Sequence, residues 1–267
     1  MKDHSPGRGI RGRIDFLSRH PVWRSQYKAF VRAVSRLALP PGSTGLSVSC
    51  GDGIWDFLAL ANNPALARMM ATDVVDCPVA KDDIGLLNTR GAWTFQQVAA
   101  DAPLPVDDGA CDLVLHMDVI EHTRRPYLMI QENFRVLKPG GFLLCGTPNI
   151  FRPANILKLL VGRLTFPCGF ENGLLNPRYL NPGIKSDGMT HVQEFNRYQL
   201  ELMLEEVGFE VVSMTACFFG ISFLLLRLAD FPAGPLGKNA CQYLVCLARK
   251  PGADRDTIDT QGQPCYR

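Results

Sequence analysis

At 267 residues the chain is long enough for one large α/β domain and short for two. Hydrophobic residues at 46% and charged residues at 20% are ordinary for a folded protein, and a net charge of +2 gives no ground for a nucleic-acid partner. Nine cysteines, an odd number with no Cys-x-x-Cys pair, argue against a zinc cluster and suit reduced thiols in a cytoplasmic protein, so no metal site is expected.

Residues 1–43 read as an N-terminal arm and helix. Residues 1–13 are basic and Gly-containing, which suits a mobile arm and lacks the apolar core of a secretory signal. From about 21 to 39, Trp23, Tyr27, Phe30, Val31, Val34 and Leu37 recur at helical spacing, and Pro40, Pro41 and Gly42 end the helix. A domain over 44–250 follows. Its strands are read at 44–49, 67–72, 93–98, 113–117 and 141–146, and its helices at 54–61 and 126–137. Strands that alternate with helices imply parallel pairing through right-handed crossovers. The alternation breaks over about 150–190, resumes with a helix at 196–206, and ends in two β-rich runs, 209–217 and 241–248, that would form an edge pair. Residues 251–267 are polar and read as a disordered tail. The expected fold is α/β, a Rossmann-like three-layer sandwich around a mostly parallel seven-stranded sheet with an antiparallel edge strand. No run approaches the roughly 20 apolar residues of a membrane span.

The first stretch with chemical content is Ser47, Val48, Ser49, Cys50, Gly51, Asp52, Gly53. A strand that ends in a small-residue turn and opens a helix lets a ligand approach the backbone, with helix N–H groups aimed at it. A plain tight turn is the competing reading. Asp73 closes the next strand 20 residues after Gly53, where a carboxylate can accept both hydrogen bonds of a ribose diol. A turn-starting Asp is the alternative, and Asp76 is a nearby competitor.

The longest patterned stretch runs Cys111, Asp112, Leu113, Val114, Leu115, His116, Met117, Asp118, Val119, Ile120, Glu121, His122. It continues through Arg135, Val136, Leu137, Lys138, Pro139, Gly140, Gly141 to Thr147, Pro148, Asn149. With Leu104-Pro105 before it and His191, Val192, Gln193, Glu194, Phe195 after it, this stretch resembles the class I S-adenosylmethionine (SAM)-dependent methyltransferases. The resemblant group carries an Asp-x-Ile-Glu-His segment, a Leu-Lys-Pro-Gly-Gly turn and a Thr-Pro-Asn strand end. The resemblance spans about 45–209 and implies SAM as cofactor. It further implies that Ser49, Cys50, Gly51 and Gly53 pass under the methionine part, that Asp73 holds the ribose, and that Asp101 sits near the adenine amino group. Met117 and Asp118 would face the sulfonium and the acceptor. The family usually has an acid where Ser47 stands and Gly where Ser49 stands, so the ammonium of SAM meets no charge from position 47, and Asp52 is the candidate substitute.

His191 lies beyond the insert, just before a helix, where an imidazole with a reference pKa near 6.5 is placed for acid–base work; a structural loop anchor is the competing role. His122 reads as a structural residue that caps the next helix. Residues 151–164 form a helix with Arg152, Asn155 and Lys158 on one face, read as a lid over an acceptor pocket, with contact to a membrane surface as the second reading. The motifs suggest O-methylation of a small-molecule or lipid- or glycan-linked acceptor, His191 and Asp118 serving catalysis. They do not name the acceptor or the oligomeric state. The alternatives are a non-catalytic SAM-binding relative acting as an interaction protein, and a nicotinamide-dependent oxidoreductase, the latter poorer because a full Gly-x-Gly-x-x-Gly is missing.

Overall fold

A computed structural model describes residues 9–160, 191–218, 222–223, 226–227 and 238–252. The chain opens with two helices, α1 (Ile10–Arg19) and α2 (Pro21–Ser35). It then alternates: β1 (Ser43–Val48), α3 (Ile54–Asn62), β2 (Leu66–Asp73), α4 (Lys81–Asn88), β3 (Ala92–Gln97), β4 (Cys111–Met117), α5 (Pro126–Val136) and β5 (Leu137–Pro148). After α6 (Pro153–Leu160) come α7 (Arg197–Val207), β6 (Glu210–Cys217), a short hairpin of β7 (Ser222–Phe223) and β8 (Leu226–Arg227), and β9 (Tyr243–Arg249).

Seven strands form one sheet in the order β3-β2-β1-β4-β5-β9-β6. β1 pairs in parallel with β2 on one side and β4 on the other, so the chain changes direction across the sheet between β1 and β4. Ligands of open α/β sheets bind at the carboxyl ends of strands at such a switch point. The β6–β9 edge pair forms as the sequence suggests, with the reversed strand β9 lying between β5 and β6 and antiparallel to both.

Every residue of β4 is buried, as expected of a central strand covered on both faces. Leu113, Leu115 and Met117 pack with the side of α1, α2 and α3, whereas Val114 packs with Ile130 and Val136 of α5 and Leu200 and Leu204 of α7. Fully burying such side chains contributes on the order of 2 kcal/mol each. α7 begins with a reciprocal capping box, Gln199 N–H donating to Asn196 Oδ1 at 2.9 Å and Asn196 N–H to Gln199 Oε1 at 3.1 Å, and ends at Gly208 in the left-handed conformation.

Two expectations need correction. The stretch 1–13 expected as a mobile arm is helical from Ile10, where α1 starts, and residues 1–8 lie outside the described residues. The glycines on either side disguise an apolar stripe of Ile10, Ile14 and Leu17, and Ile10 N–H donates to Asp83 Oδ2 at 3.1 Å. α1 and α2 are also part of the main core and not a separate segment, since Phe30 and Val34 are buried against the sheet domain. In the lid helix, the polar face turns inward: Asn155 is buried, while Leu157 and Leu160 are exposed. α4, with its single buried residue Leu87, was not legible. The rest of the expected lid, 161–190, and the tail from 253 lie outside the described residues.

Among the described residues, Cys50, Cys77, Cys111, Cys145, Cys217, Cys241 and Cys246 are free thiols, and no helix is long and apolar enough to cross a membrane.

Candidate active site

β1 delivers the chain into the turn Ser49–Gly53. Ser49, Gly51 and Gly53 all have positive φ, at 53°, 53° and 77°. Gly51 and Gly53 adopt this at no steric cost, whereas Ser49 does so at about 1 kcal/mol, which explains why glycine is usual at its position. A Cβ built on Gly51 would meet no atom within 4 Å, so the outer side of the turn is open to a ligand. Gly53 caps α3, whose first N–H groups point at the same space. Asp73, at the end of β2, accepts from Gly51 N–H at 3.0 Å through Oδ2 and from Val74 N–H at 2.7 Å through Oδ1. It braces the turn as well as offering oxygens to a ribose. Cys50 is buried and its thiol is pushed far up by burial, so its contribution to the turn is backbone, with its N–H donating to Thr72 O at 2.9 Å.

A buried acid stands beside Ser47, on a different element. Asp56 of α3 is fully buried beside Ser47, and Trp93 Nε1 donates to its Oδ2 at 2.8 Å. Burial lifts the Asp56 carboxyl to about 7 against the pull of Ser47 and Trp93. Asp52, the expected substitute, is instead exposed and paired with Arg13 of α1 at 2.7 Å.

Met117 is the last residue of β4 and lies against Gly146 of β5, where a Cβ would stand 2.5 Å from Met117 Cε and 2.6 Å from the Tyr243 hydroxyl. A larger residue there would force Met117 or Tyr243 to shift. Asp118 follows in the left-handed conformation, φ 59°, a strained backbone of the sort held at functional positions. Gln26 Nε2 of α2 donates to Asp118 Oδ2 at 3.3 Å. Burial raises the Asp118 carboxyl to about 6, with Gln26, Tyr243 and the charge of His191 acting in the opposite direction. Asp101 is exposed, also left-handed at φ 57°, and accepts from Thr123 Oγ1 at 2.9 Å just beyond β4.

Glu121 is fully buried, and its backbone carbonyl accepts from Val192 N–H at 2.7 Å, which docks the segment after the insert onto the β4 loop. Thr147 Oγ1 donates to Glu121 Oε2 at 3.0 Å. Burial, and then the negative charge of Asp118, push the Glu121 carboxyl well above its usual range. The rings of His122 and His191 meet edge-on at 4.9 Å. One ligand atom from each of Glu121, His122 and His191 lies within 4.8 Å of the others, a spacing that a shared cation could bridge. His191 Nδ1 is 2.7 Å from Glu194 Oε1, and Arg152 grips Glu194 with two bonds of 2.7 Å.

The expected residues thus fall into two groups. Ser49, Cys50, Gly51, Gly53 and Asp73 come together at the turn after β1. Asp118 follows Met117 at the end of β4 within electrostatic reach of His191, and Asp101 is bonded to Thr123 in the loop beyond. Arg13, Gln26, Asp56, Glu194 and Tyr243 were missed. Gln26 left a signal, a buried polar residue on the apolar stripe of α2, and so did Asp56, an acid inside an otherwise apolar helix start.

A glycine turn at the switch point, an acid closing the second strand and an acidic loop after the fourth define the class I SAM-dependent methyltransferase fold. A methyltransferase-domain family matches residues 22–214, and the chain belongs to it. A protein of Mycolicibacterium smegmatis named a probable SAM-dependent methyltransferase is 34% identical over 119 residues, covering 45% of this chain and 36% of that one. A ubiquinone biosynthesis O-methyltransferase of Pseudomonas fluorescens is 30% identical over 108 residues, 40% of this chain and 45% of that one. The matched stretches thus span about half or less of these relatives. Among solved structures, the (4+2)-cyclase SpnF superposes with a TM-score of 0.57 at 19% identity, covering 88% of this chain and 85% of that one. The carbon methyltransferase of CurJ gives a TM-score of 0.57 at 16% identity, covering 91% and 58%. These two likenesses carry the fold. The family and the named relatives support neither the nicotinamide reading nor the non-catalytic one.

Proposed function

We propose that the chain methylates an oxygen of a small-molecule or lipid- or glycan-linked acceptor in the cytoplasm, with SAM as donor and without nucleic acid as substrate. The observation that carries this reading is the pairing of an open glycine turn, braced by Asp73, with a cluster of proton acceptors beyond the neighbouring strand β4, buried at Glu121 and half-buried at Asp118, His122 and His191. Bound SAM supplies a methyl group activated on a sulfonium. The chain's task is to hold the acceptor in line and take up its proton.

Gly51 and Gly53 leave room for the cofactor against the backbone, Asp73 holds the ribose diol, and Met117 lines the reacting end. His191 accepts the hydroxyl proton as the new O–CH3 bond forms and the S–CH3 bond breaks, leaving S-adenosylhomocysteine. Asp118, held near 6 by burial and aimed by Gln26, is the second acceptor of that proton. The likeness to O-methyltransferases of ubiquinone biosynthesis supports oxygen as the methylated atom. The outward Leu157 and Leu160 of α6 support an acceptor met at a lipid surface.

Calorimetry tests the cofactor side: SAM and S-adenosylhomocysteine should bind in the micromolar range, on the order of 8 kcal/mol. The absence of heat and of any thermal shift with both compounds would overturn the reading.

A further inference from the structure

We propose that Glu194 is the positioning residue of the acceptor-side base: it fixes the tautomer of His191 and ties that ring to the helix that opens the insert. The inference rests on the reading of His191 as the base.

Glu194 is buried, yet it is surrounded by donors. Arg152 Nη2 donates to Oε1 at 2.7 Å and Arg152 Nη1 to Oε2 at 2.7 Å, a forked grip on both oxygens. Asn155 Nδ2 adds a third bond to Oε2 at 3.1 Å. A carboxylate so held stays ionised, and an ionised carboxylate can only accept. The proton in its 2.7 Å bond to His191 Nδ1 therefore belongs to the imidazole. With Nδ1 protonated, the lone pair of the neutral ring sits on Nε2, and Nε2 becomes the atom that takes a proton from an acceptor. Glu194 is the hydrogen-bond partner that reaches Nδ1, and it thereby selects between the two tautomers. The edge-on ring of His122 at 4.9 Å restrains the plane of His191 from another side.

The same contacts couple chemistry to architecture. Arg152 immediately precedes α6 and Asn155 lies in its first turn, whereas His191 and Glu194 lie beyond residues 161–190. Glu194 is thus the point at which both ends of the insert meet the base. This explains why α6 turns Arg152 and Asn155 inward and leaves Leu157 and Leu160 outside: the buried carboxylate needs cationic and amide partners more than the helix needs to bury two leucines. Glu194 does not touch the reacting atoms; it acts through His191.

The test uses the full chain and needs no acceptor for its first readout. Nitrogen–proton correlation spectra of the histidine rings, recorded at about pH 8 where imidazole is neutral, report which nitrogen carries the proton. The wild type should show His191 protonated at Nδ1. Glu194→Gln should bring in the Nε2-protonated form, and Glu194→Asp should restore the Nδ1 form at least in part. A wild-type ring protonated at Nε2, or the same tautomer in all three proteins, overturns the proposal; the wild-type spectrum decides even if Glu194→Gln fails to fold. Where methyl transfer is measured, Glu194→Gln should lose at least about tenfold in kcat with SAM affinity within about twofold of wild type. Loss of SAM affinity in step with kcat would assign Glu194 a structural role. Failure to bind SAM at all would overturn the functional reading while leaving the tautomer result standing.

Discussion

At the end proposed for the cofactor, the groups come from residues 49–73, one turn and the next strand, and Asp73 receives its hydrogen bonds from backbone N–H groups. At the acceptor end they come from α2, the loop after β4, the end of β5, the start of α6, the segment past the insert and β9, and the carboxylates meet side chains. The first construction is local and sets a backbone shape. The second is assembled from afar and sets protonation states. Substitutions at the cofactor end should therefore show in stability and affinity, and those at the acceptor end in rate.

The largest effect is expected from the buried acid beneath the glycine turn. The folded-state value for Asp56, about 7, lies above its ordinary 3.8. The native state therefore holds a proton that the unfolded chain releases, and stability falls as pH rises from about 4 through 7. At 1.36 kcal/mol per unit this loss approaches about 4 kcal/mol by pH 8. Asp56→Asn keeps an acceptor for Trp93 Nε1 and removes the loss. Urea midpoints at pH 5 and pH 8 should converge in the variant and diverge in the wild type. Identical slopes in both would mean that the carboxyl is charged and paired in the fold.

Next is His191→Ala. It should cut turnover by about a hundredfold or more and leave SAM affinity nearly unchanged, read from initial rates beside calorimetry. Lost SAM binding would erase the division between the two ends. For Asp73→Ala, the expected loss of SAM affinity is roughly 1.5–3 kcal/mol, with Asp76→Ala close to wild type. Equal affinities would show that the ribose partner is elsewhere and that Asp73 serves the turn alone. The smallest effect belongs to Ser49→Gly. Relief of the left-handed backbone gains about 1 kcal/mol, partly offset by the freedom glycine gains on unfolding. The melting temperature should rise by a few degrees at most while SAM affinity holds.

The same contrast explains what could be read in advance. Strands β1 to β5, α3 and α5 followed from apolar runs between turn signals, and the glycine turn with Asp73 followed from their spacing, because each of these signals lies within a few residues. α4 escaped because, as an exposed helix with one buried side chain, it carries almost no periodic pattern. Glu194 escaped because nothing near it in sequence reveals Arg152, 42 positions earlier, or the carboxylate's burial. Asp56 escaped because the resemblance directs attention to position 47, whereas the buried acid beside it stands on α3. Asp118 and His191 were singled out from the motif and the loop position, but Gln26 and Tyr243, which act on Asp118, come from opposite ends of the chain.

The grip of Arg152 and Asn155 on Glu194 also bears on how this chain can change over generations. It joins positions 42 and 39 residues apart and so fixes both ends of the segment 161–190 at one buried point. The entropy of closing a loop grows only with the logarithm of its length, about 0.6 kcal/mol per doubling. A segment anchored in this way can be lengthened, shortened or exchanged at little thermodynamic cost while His191 keeps its place. Variation within that segment is thereby separated from the contacts that hold His191. Exchanging residues 161–190 alone, with Arg152, Asn155, His191 and Glu194 kept, should leave the tautomer of His191 unchanged.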